Sequence, residues 1–200
     1  PDQAREVLLE AVCMGAERGY LISDRCFAGA DVCATSHTLS QGIRQSGTYD
    51  LILCGKQTTD GDTAQVGAET AEFLGIAHGA NILEVLETGD TFVTVRMNLE
   101  NKIQTQKMEL PCLLTVDKDV NTPRLPSYKK RIGMDPGCIK VMGLDDLEDR
   151  DPGHYGLKGS PTQVERIFPP DKKTDKEIME GTGRELAQAM AAVLRKHKFI

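Results

Sequence analysis

The chain has 200 residues, a formal net charge of −6 at neutral pH, and an apolar content that is ordinary for a globular protein. The acidic balance excludes a typical nucleic-acid-binding protein, because such proteins need a basic face to displace counterions. No apolar run approaches the length of a membrane span, so we expect no transmembrane segment.

The first predicted elements are two helices separated by a short strand. Apolar residues at three- and four-residue steps predict a helix from Pro1 to Gly15, and a strand over Tyr20–Ile22 follows. A second helix is predicted over Ala30–Gln45, with Asp31 as its N-cap and Gly47 as its stop. The chain therefore opens on a helix, whereas a doubly wound sheet normally begins with a strand, so we expect the first part of the domain to lie outside this sequence.

The next predicted elements are a strand, a loop and a helix. Leu51–Cys54 has no polar alternation, which predicts a strand buried on both faces of a parallel sheet. A loop of small and hydroxylated residues follows, and then a helix over Ala64–Leu74 that ends at Gly75. This alternation of helices and strands predicts an α/β fold with a parallel sheet.

After Gly79 the pattern changes to short strands, which predict an antiparallel extension of the sheet. Hairpin turns are predicted at Gly89-Asp90 and Glu100-Asn101. The predicted strands are Ile82–Leu86, Thr91–Val95, Ile103–Met108 and Leu113–Val116.

The last part of the chain is predicted to be an extended arm and a helix. From Asn121 to Pro170 prolines are frequent and regular patterns are absent, which is unusual for a stretch of this length inside a compact domain. A helix with an apolar stripe is predicted over Asp175–Lys196. We therefore expect a nucleotide-binding domain over residues 1–120, and an arm over 121–200 that lies on a partner and leaves the isolated chain unstable.

The loop that begins at Gly55 is the candidate ligand site. Gly55 directly after a strand permits a close approach of ligand and backbone, and Gly61 gives a second flexible point. Asp62 or Thr63 is predicted to cap the following helix, whose free N–H groups and dipole favour a phosphate or pyrophosphate. Asp60 and Asp62 are unfavourable beside a phosphate, so we expect them to accept hydrogen bonds from backbone N–H groups or a ribose. A capped turn that binds nothing stays open as an alternative.

Four stretches of the sequence resemble the β subunit of electron transfer flavoprotein. They are DLILCGKQTTDGDTAQVGAETAEFLG, AVCMGAERGYLISD, LPCLLTVDKDVNTPR and YGLKGSPTQVERIFPP, and together they extend along nearly the whole chain. The resemblance implies a Rossmann-like, adenine-nucleotide-binding fold. It also implies a heterodimer with an α subunit that carries electrons between a flavin-dependent acyl-CoA dehydrogenase and another redox partner. Family members have a further N-terminal region before the position that matches Pro1.

The resemblance implies that the loop from Gly55 to Val66 surrounds an adenine nucleotide. In one branch of the family this nucleotide is AMP, and in the other it is a second FAD that splits electron pairs from NADH. The sequence TTDGDTAQVG, together with KGSPTQV downstream, resembles the second branch, so FAD is the expected cofactor and AMP the alternative. The expected cofactor-binding residues are Gly55, Lys56, Gln57, Thr58, Thr59, Asp60, Gly61, Asp62, Thr63, Ala64, Gln65, Val66 and Gly67.

The resemblance also implies a recognition loop after the motif NTPR. By its position, Tyr128 would be the apolar anchor that enters a pocket of the dehydrogenase, and the neighbouring Lys129 and Lys130 would steer an acidic partner. Two positions depart from the family pattern: Met97 stands where an arginine is usual, and Asn101-Lys102 replaces a Gly-Gly hairpin.

No constellation of residues predicts a chemical catalyst in this chain. The six cysteines form no C-x-x-C pair and the four histidines show no ligand spacing, so we expect free thiols, a reducing cytoplasmic compartment and no metal. Two other functions are open to an adenine-nucleotide-binding fold: a sensor without redox work, and an adenylate-forming enzyme. The first leaves the arm unexplained, and the second needs more cations than Lys56 supplies.

Overall fold

The computed structural model describes residues 2–169 and 178–200. It divides into two compact units, the first ending at Gln163 and the second beginning at Val164. The helices of the first unit are α1 (Asp2–Met14), α2 (Val32–Ser46), α3 (Val66–Leu74), α4 (Tyr128–Ile132) and α5 (Gly156–Gly159). Its strands are β1 (Gly19–Ile22), β2 (Leu51–Gly55), β3 (Ala77–Thr88), β4 (Phe92–Leu99), β5 (Lys102–Glu109), β6 (Cys112–Val116) and β7 (Ile139–Met142). No helix in the described ranges has the length and apolarity to cross a bilayer.

The main sheet contains five strands in the order β2-β6-β3-β4-β5. Strand β6 is parallel to both β2 and β3, whereas β3, β4 and β5 form an antiparallel meander. The mixed α/β fold and the antiparallel extension are thus confirmed. The prediction was wrong for β6, which lies inside the parallel part because the chain returns from the meander to fill the space between β2 and β3.

The core of the main sheet is formed by apolar side chains from strands β3, β4, β5 and β6. The buried residues of this core are Ile82, Val93, Val95, Met97, Met108, Cys112 and Leu114. Met97 is 8% exposed, whereas the neighbouring Arg96 points outward and pairs with Glu84 at 2.6 Å. The departure at Met97 therefore places an apolar side chain in an apolar core, where a cation would be costly to bury.

Strand β2 is not buried on both faces, which corrects the prediction made from its apolar run. Leu53 is 59% exposed. Within the described residues β2 pairs only with β6, so it stands at an edge of the main sheet. An unbroken apolar run reports burial only where neighbours exist on all sides.

The proline-rich segment after Asn121 belongs to the first unit as far as Gln163. Strand β7 pairs in parallel with β1 to form a second, two-stranded sheet. Further along, the side chain of Tyr155 is completely buried. The predicted arm therefore does not leave the first unit at Asn121, because pairing and burial with residues far away in sequence order this irregular segment.

The second unit contains helix α6 (Gly183–Lys196). Thr182 is its N-cap, and the Thr182 backbone N–H donates to the Glu185 carboxylate at 2.8 Å. The helix was predicted to begin at Asp175, which lies outside the described residues, as does Pro170. Ile178 is described and is not helical, so the predicted start was too early: Gly181 has a φ of +152°, and the capping contacts begin the helix after it.

Candidate nucleotide-binding site

The loop between β2 and α3 stands at the carboxyl end of β2, next to the carboxyl end of the parallel strand β6. Residues Gln57 to Gln65 are all exposed, and Gly55 is exposed as well. Ligands of open α/β sheets bind outside the carboxyl ends of the strands. The structure therefore brings the predicted cofactor-binding residues together at one edge of the main sheet, where Gln57 to Gln65 are accessible and Gly67 is buried.

The side chains of Gln57, Thr58, Asp60 and Asp62 form hydrogen bonds within the loop itself. Asp60 Oδ1 accepts a hydrogen bond from the Gly61 N–H at 2.8 Å, and the Thr58 hydroxyl with this N–H lowers the pKa of Asp60. The Asp62 N–H donates to the Thr58 carbonyl at 3.1 Å, and the Gln57 amide donates to the Asp62 carboxylate. Both carboxylates therefore accept hydrogen bonds from other groups of the loop, and these bonds order the loop backbone.

Strain in the loop lies at residues other than its glycines. Asp62 and Ala64 adopt left-handed conformations, with φ values of 52° and 54°. Alanine is uncommon in this region, and such strain is concentrated at functional sites. A Cβ built on Gly61 would meet only Thr58 Oγ1, at 3.5 Å, and one on Gly55 would meet nothing within 4 Å. These two glycines thus leave open space in front of the loop.

The N-terminus of α3 carries no side-chain cap. Its N-cap residue is Gln65, which makes no capping hydrogen bond, so the prediction that Asp62 or Thr63 would cap the helix was wrong. The helix begins two residues later than predicted because Asp62 and Ala64 have left-handed backbone conformations, which a right-handed helix excludes. The first-turn N–H groups of a helix need acceptors from outside the helix. Here no side-chain cap supplies such an acceptor, and the positive end of the helix dipole lies at Gln65, at the end of the loop.

Gly67 brings this uncapped end close to the sheet. A Cβ on Gly67 would lie 2.3 Å from Thr115 Cγ2 and 3.7 Å from Cys54 Cβ. Only a glycine permits this approach of α3 to β6 and β2. Two buried side-chain oxygens on the same helix, Glu69 Oε2 and Thr70 Oγ1, have no hydrogen-bond partner among the described residues.

Asp117 lies at this candidate site and was not predicted from the sequence. It directly follows β6, and its Oδ2 lies 3.7 Å from Lys56 Nζ. An acidic residue just after a buried parallel strand is a signal that could have identified it, because the carboxyl ends of neighbouring parallel strands meet at one edge.

The predicted recognition residues stand on a different part of the first unit. Tyr128 is 77% exposed at the first position of α4, and Lys129 and Lys130 beside it are exposed too. Ser127 caps α4, and its N–H donates to the Cys13 carbonyl of α1 at 3.0 Å. Leu125 and Ile132 are further exposed apolar side chains of the same segment. Contact with α1 thus fixes a short helix that presents an aromatic ring beside a cationic row.

A cluster of titratable residues joins the segment after β7 to α2. Asp149 Oδ2 lies 2.8 Å from His154 Nδ1 and 3.1 Å from His37 Nε2. The hydrogen bond and charge of Asp149 raise the pKa of His154. Burial raises the pKa of Asp149, but hydrogen bonds from Asp151 N–H and the two imidazoles outweigh it and lower that pKa.

Neither a metal site nor a disulfide emerges from the residues that the structure describes. No group of three His, Cys, Asp or Glu side chains within them could hold a metal ion. The six cysteines are free. Burial and the charges of Glu69 and Asp31 raise the pKa of Cys33, which disfavours its thiolate.

Comparison with known proteins identifies one matching family model and several similar proteins. The family model described as "Electron transfer flavoprotein domain" matches residues 1–142. The chain is 38% identical over 200 residues to the "Electron transfer flavoprotein subunit beta" of Clostridium acetobutylicum, which covers 100% of this chain and 76% of that protein. It is 38% identical over 201 residues to the "Caffeyl-CoA reductase-Etf complex subunit CarD" of Acetobacterium woodii, with the same coverage of 100% and 76%. It is 34% identical over 196 residues to "Protein FixA" of Bradyrhizobium diazoefficiens, covering 95% and 68%.

Proposed function

The chain belongs to the electron transfer flavoprotein family, among its β subunits, and from this premise we propose that its loop from Gly55 to Gly67 holds an adenine nucleotide. The proposed ligand is FAD, with AMP as the alternative. The proposed assembly is a heterodimer with an α subunit. This heterodimer would pass electrons between a flavin-dependent acyl-CoA dehydrogenase and other redox partners.

The uncapped N-terminus of α3 is the observation that carries the nucleotide assignment. Its free N–H groups and dipole suit a pyrophosphate, and the open space in front of Gly55 and Gly61 admits the nucleotide to the backbone. The hydroxyls of Thr59 and Thr63 supply further donors in the same loop. The donor chemistry of this edge therefore fits the phosphate part of either FAD or AMP.

FAD with NADH-linked bifurcation is proposed for two reasons. The loop sequence TTDGDTAQVG resembles that of the bifurcating branch of the family, and one relative is named as a subunit of a caffeyl-CoA reductase complex. When bound, the flavin supplies the redox chemistry, while this chain binds it, orients it and sets its surroundings. The role that we propose for this chain in electron transfer is therefore to hold the flavin in position, and we propose no catalytic side chain.

Counting nucleotides on the purified heterodimer tests the cofactor. We expect two FAD molecules per heterodimer after denaturation and chromatography, one of them from this subunit. One FAD with one AMP would contradict the FAD assignment and keep the nucleotide site. A β subunit without any adenine nucleotide would contradict the site itself.

Gly61→Val tests the position of the nucleotide. A Cβ at Gly61 makes only an ordinary contact with Thr58 Oγ1, so the loop tolerates a side chain there, whereas a nucleotide lying on the loop does not. We expect the variant heterodimer to lose most of its β-subunit nucleotide while keeping its thermal midpoint in nucleotide-free buffer. Gly133→Val is the matched control, since its Cβ also meets only one atom, Lys129 O at 3.6 Å, on the segment packed against α1. Full retention in Gly61→Val would refute this placement.

A further inference from the structure

Lys56 and Asp117 form a partly buried ion pair at the carboxyl edge of the main sheet. Lys56 Nζ lies 3.7 Å from Asp117 Oδ2. Each residue directly follows its strand, Lys56 after β2 and Asp117 after β6, and the register pairs Gly55 with Val116. The parallel pairing therefore sets the two side chains next to each other.

The same pair lies beside the uncapped end of α3. The contacts expected for a Cβ on Gly67 show that Cys54 and Thr115 face the first turn of this helix. Side chains two residues apart along a strand point to the same face of the sheet. Lys56 follows Cys54 by two residues and Asp117 follows Thr115 by two, so the ion pair lies directly past the strand ends, next in sequence to the residues that face α3.

The charges of the loop give this pair its importance. Lys56 is the only basic residue from Gly55 to Gly67, and the same stretch contains Asp60 and Asp62. A lysine has a flexible four-carbon stem, so holding its ammonium group in one place costs side-chain entropy. A fixed carboxylate next to the ammonium group lowers that cost before the ligand arrives.

We propose that Asp117 is a positioning residue that holds the Lys56 ammonium group toward the pyrophosphate of the nucleotide at the N-terminus of α3. This inference rests on the proposed nucleotide site. Asp117 acts through Lys56 and makes no contact with the nucleotide itself. The Asp117 backbone N–H donates to the Ile82 carbonyl at 2.9 Å, and the Asp119 N–H donates to Asp117 Oδ1 at 3.4 Å. These bonds fix the carboxylate on the end of the sheet.

A double-mutant cycle on nucleotide release tests the inference. The rate at which the bound adenine nucleotide leaves the intact heterodimer is measured for wild type, Lys56→Gln, Asp117→Asn and the double variant. Lys56→Gln is expected to speed release about tenfold, the effect of losing one charge-assisted contact. Asp117→Asn is expected to speed release several-fold in the wild-type background and to have no further effect when Lys56 is already Gln. Asp117→Glu should restore part of the wild-type rate.

Asp119→Asn is the matched control, because Asp119 is an exposed carboxylate two residues further along the same turn. It should leave release unchanged. Faster release from Asp117→Asn in both backgrounds would overturn the inference, since Asp117 would then contact the nucleotide or support the fold directly. Slower release would overturn it as well, since Asp117 would then only repel the phosphates. If the wild-type β subunit contains no nucleotide, the proposed function is refuted. If nucleotide is present but the effects of Lys56→Gln and Asp117→Asn on its release are independent, only the role of Asp117 is refuted.

Discussion

At Gly67, an added side chain would disturb the packing of α3 against the main sheet. Its Cβ would lie 2.3 Å from Thr115 Cγ2 on β6, so Gly67→Ala must push α3 away from the sheet. Overpacking of this kind costs about 1–3 kcal/mol of unfolding free energy, measurable by urea denaturation of the heterodimer. Thr115→Ser removes the obstructing methyl group and keeps the hydroxyl that accepts from the Asn81 N–H at 3.1 Å. The double variant should therefore regain much of the lost stability.

Gly55→Ala provides the control for the Gly67 experiment. A Cβ at Gly55 meets nothing within 4 Å, so in the nucleotide-free heterodimer the unfolding free energy of Gly55→Ala should differ from wild type by no more than about 0.5 kcal/mol. If Gly67→Ala is equally neutral, or if Thr115→Ser gives no rescue, the close approach of α3 to β6 is not what holds this end of the helix.

His154 gives the fold a pH dependence of definite sign. Asp149 raises the pKa of His154, so the folded protein holds this proton more tightly than the unfolded chain does. The resulting stabilisation is fully present below about pH 6.5, the ordinary pKa of histidine, and is lost as the pH rises through the higher folded value. At the acid end, the lowered pKa of Asp149 means that its stabilisation is lost as the pH falls below about 4.

The measurement compares thermal midpoints of wild type and His154→Gln at pH 6 and pH 9. We expect wild type to be the more stable at pH 6 and the difference to shrink at pH 9. His78→Gln replaces an exposed histidine on β3 and should show no such change. A difference between wild type and His154→Gln that is the same at both pH values would refute the role of the imidazolium.

At the scale of elements, features set by local chemistry were predictable and those set by distant pairing were not. Asp31 was correctly predicted to cap α2, where its Oδ1 accepts from the Ala34 N–H at 3.0 Å, three residues away. Gly47 and Gly75 likewise end helices as predicted. In contrast, β7 lies in a proline-rich stretch and exists only because it pairs with β1, more than a hundred residues earlier. No local pattern in the segment reports such a partner.

The cap of α2 has a second contact that makes Asp31 testable. Its Oδ2 accepts from both the N–H and the hydroxyl of Thr162, at 2.9 and 2.7 Å, near the end of the first unit. Asp31→Ala should cost about 1–2 kcal/mol of unfolding free energy through the lost cap. It should also raise amide hydrogen exchange at Ser160, Thr162 and Gln163. Asp135→Ala removes the cap of a three-residue turn only and should leave those amides protected; similar exchange in the two variants would contradict the link to Thr162.

At the scale of the whole molecule, the candidate site was predictable as a stretch of chain and not as a set of contacts. The loop from Gly55 to Gly67 was identified from its small residues after an apolar strand, and the structure places it at the carboxyl edge. Asp117 was missed because it joins the loop only through the pairing of β2 with β6. The unit boundary was predicted at residue 120 because the patterns end there, whereas the compact unit continues to Gln163 through nonlocal contacts.

Association with other proteins is the property of the whole molecule that stays a prediction. We propose, as the sequence predicts, that residues 121–200 pack on the α subunit and that the chain expressed alone aggregates or unfolds in part. The apolar stripe of α6, formed by Leu186, Met190 and Leu194, is the surface that a partner would cover. Size-exclusion chromatography of the chain with and without the α subunit checks this, and a monodisperse, cooperatively folding monomer would refute it.

The recognition segment leads to a prediction in which affinity and encounter rate separate. Tyr128 is exposed on α4, so Tyr128→Ala removes an apolar anchor and should weaken binding to the dehydrogenase by about 2 kcal/mol, mainly through faster dissociation. Replacing Lys129 and Lys130 with Gln removes charge from the exposed row and should instead slow association and flatten its salt dependence. Stopped-flow binding at several salt concentrations distinguishes the two effects. Both variants should keep the full nucleotide content, because α4 packs on α1 and the nucleotide loop follows β2. Loss of nucleotide from the lysine variant, with unchanged dehydrogenase binding by Tyr128→Ala, would place this segment in the cofactor pocket rather than in the partner interface.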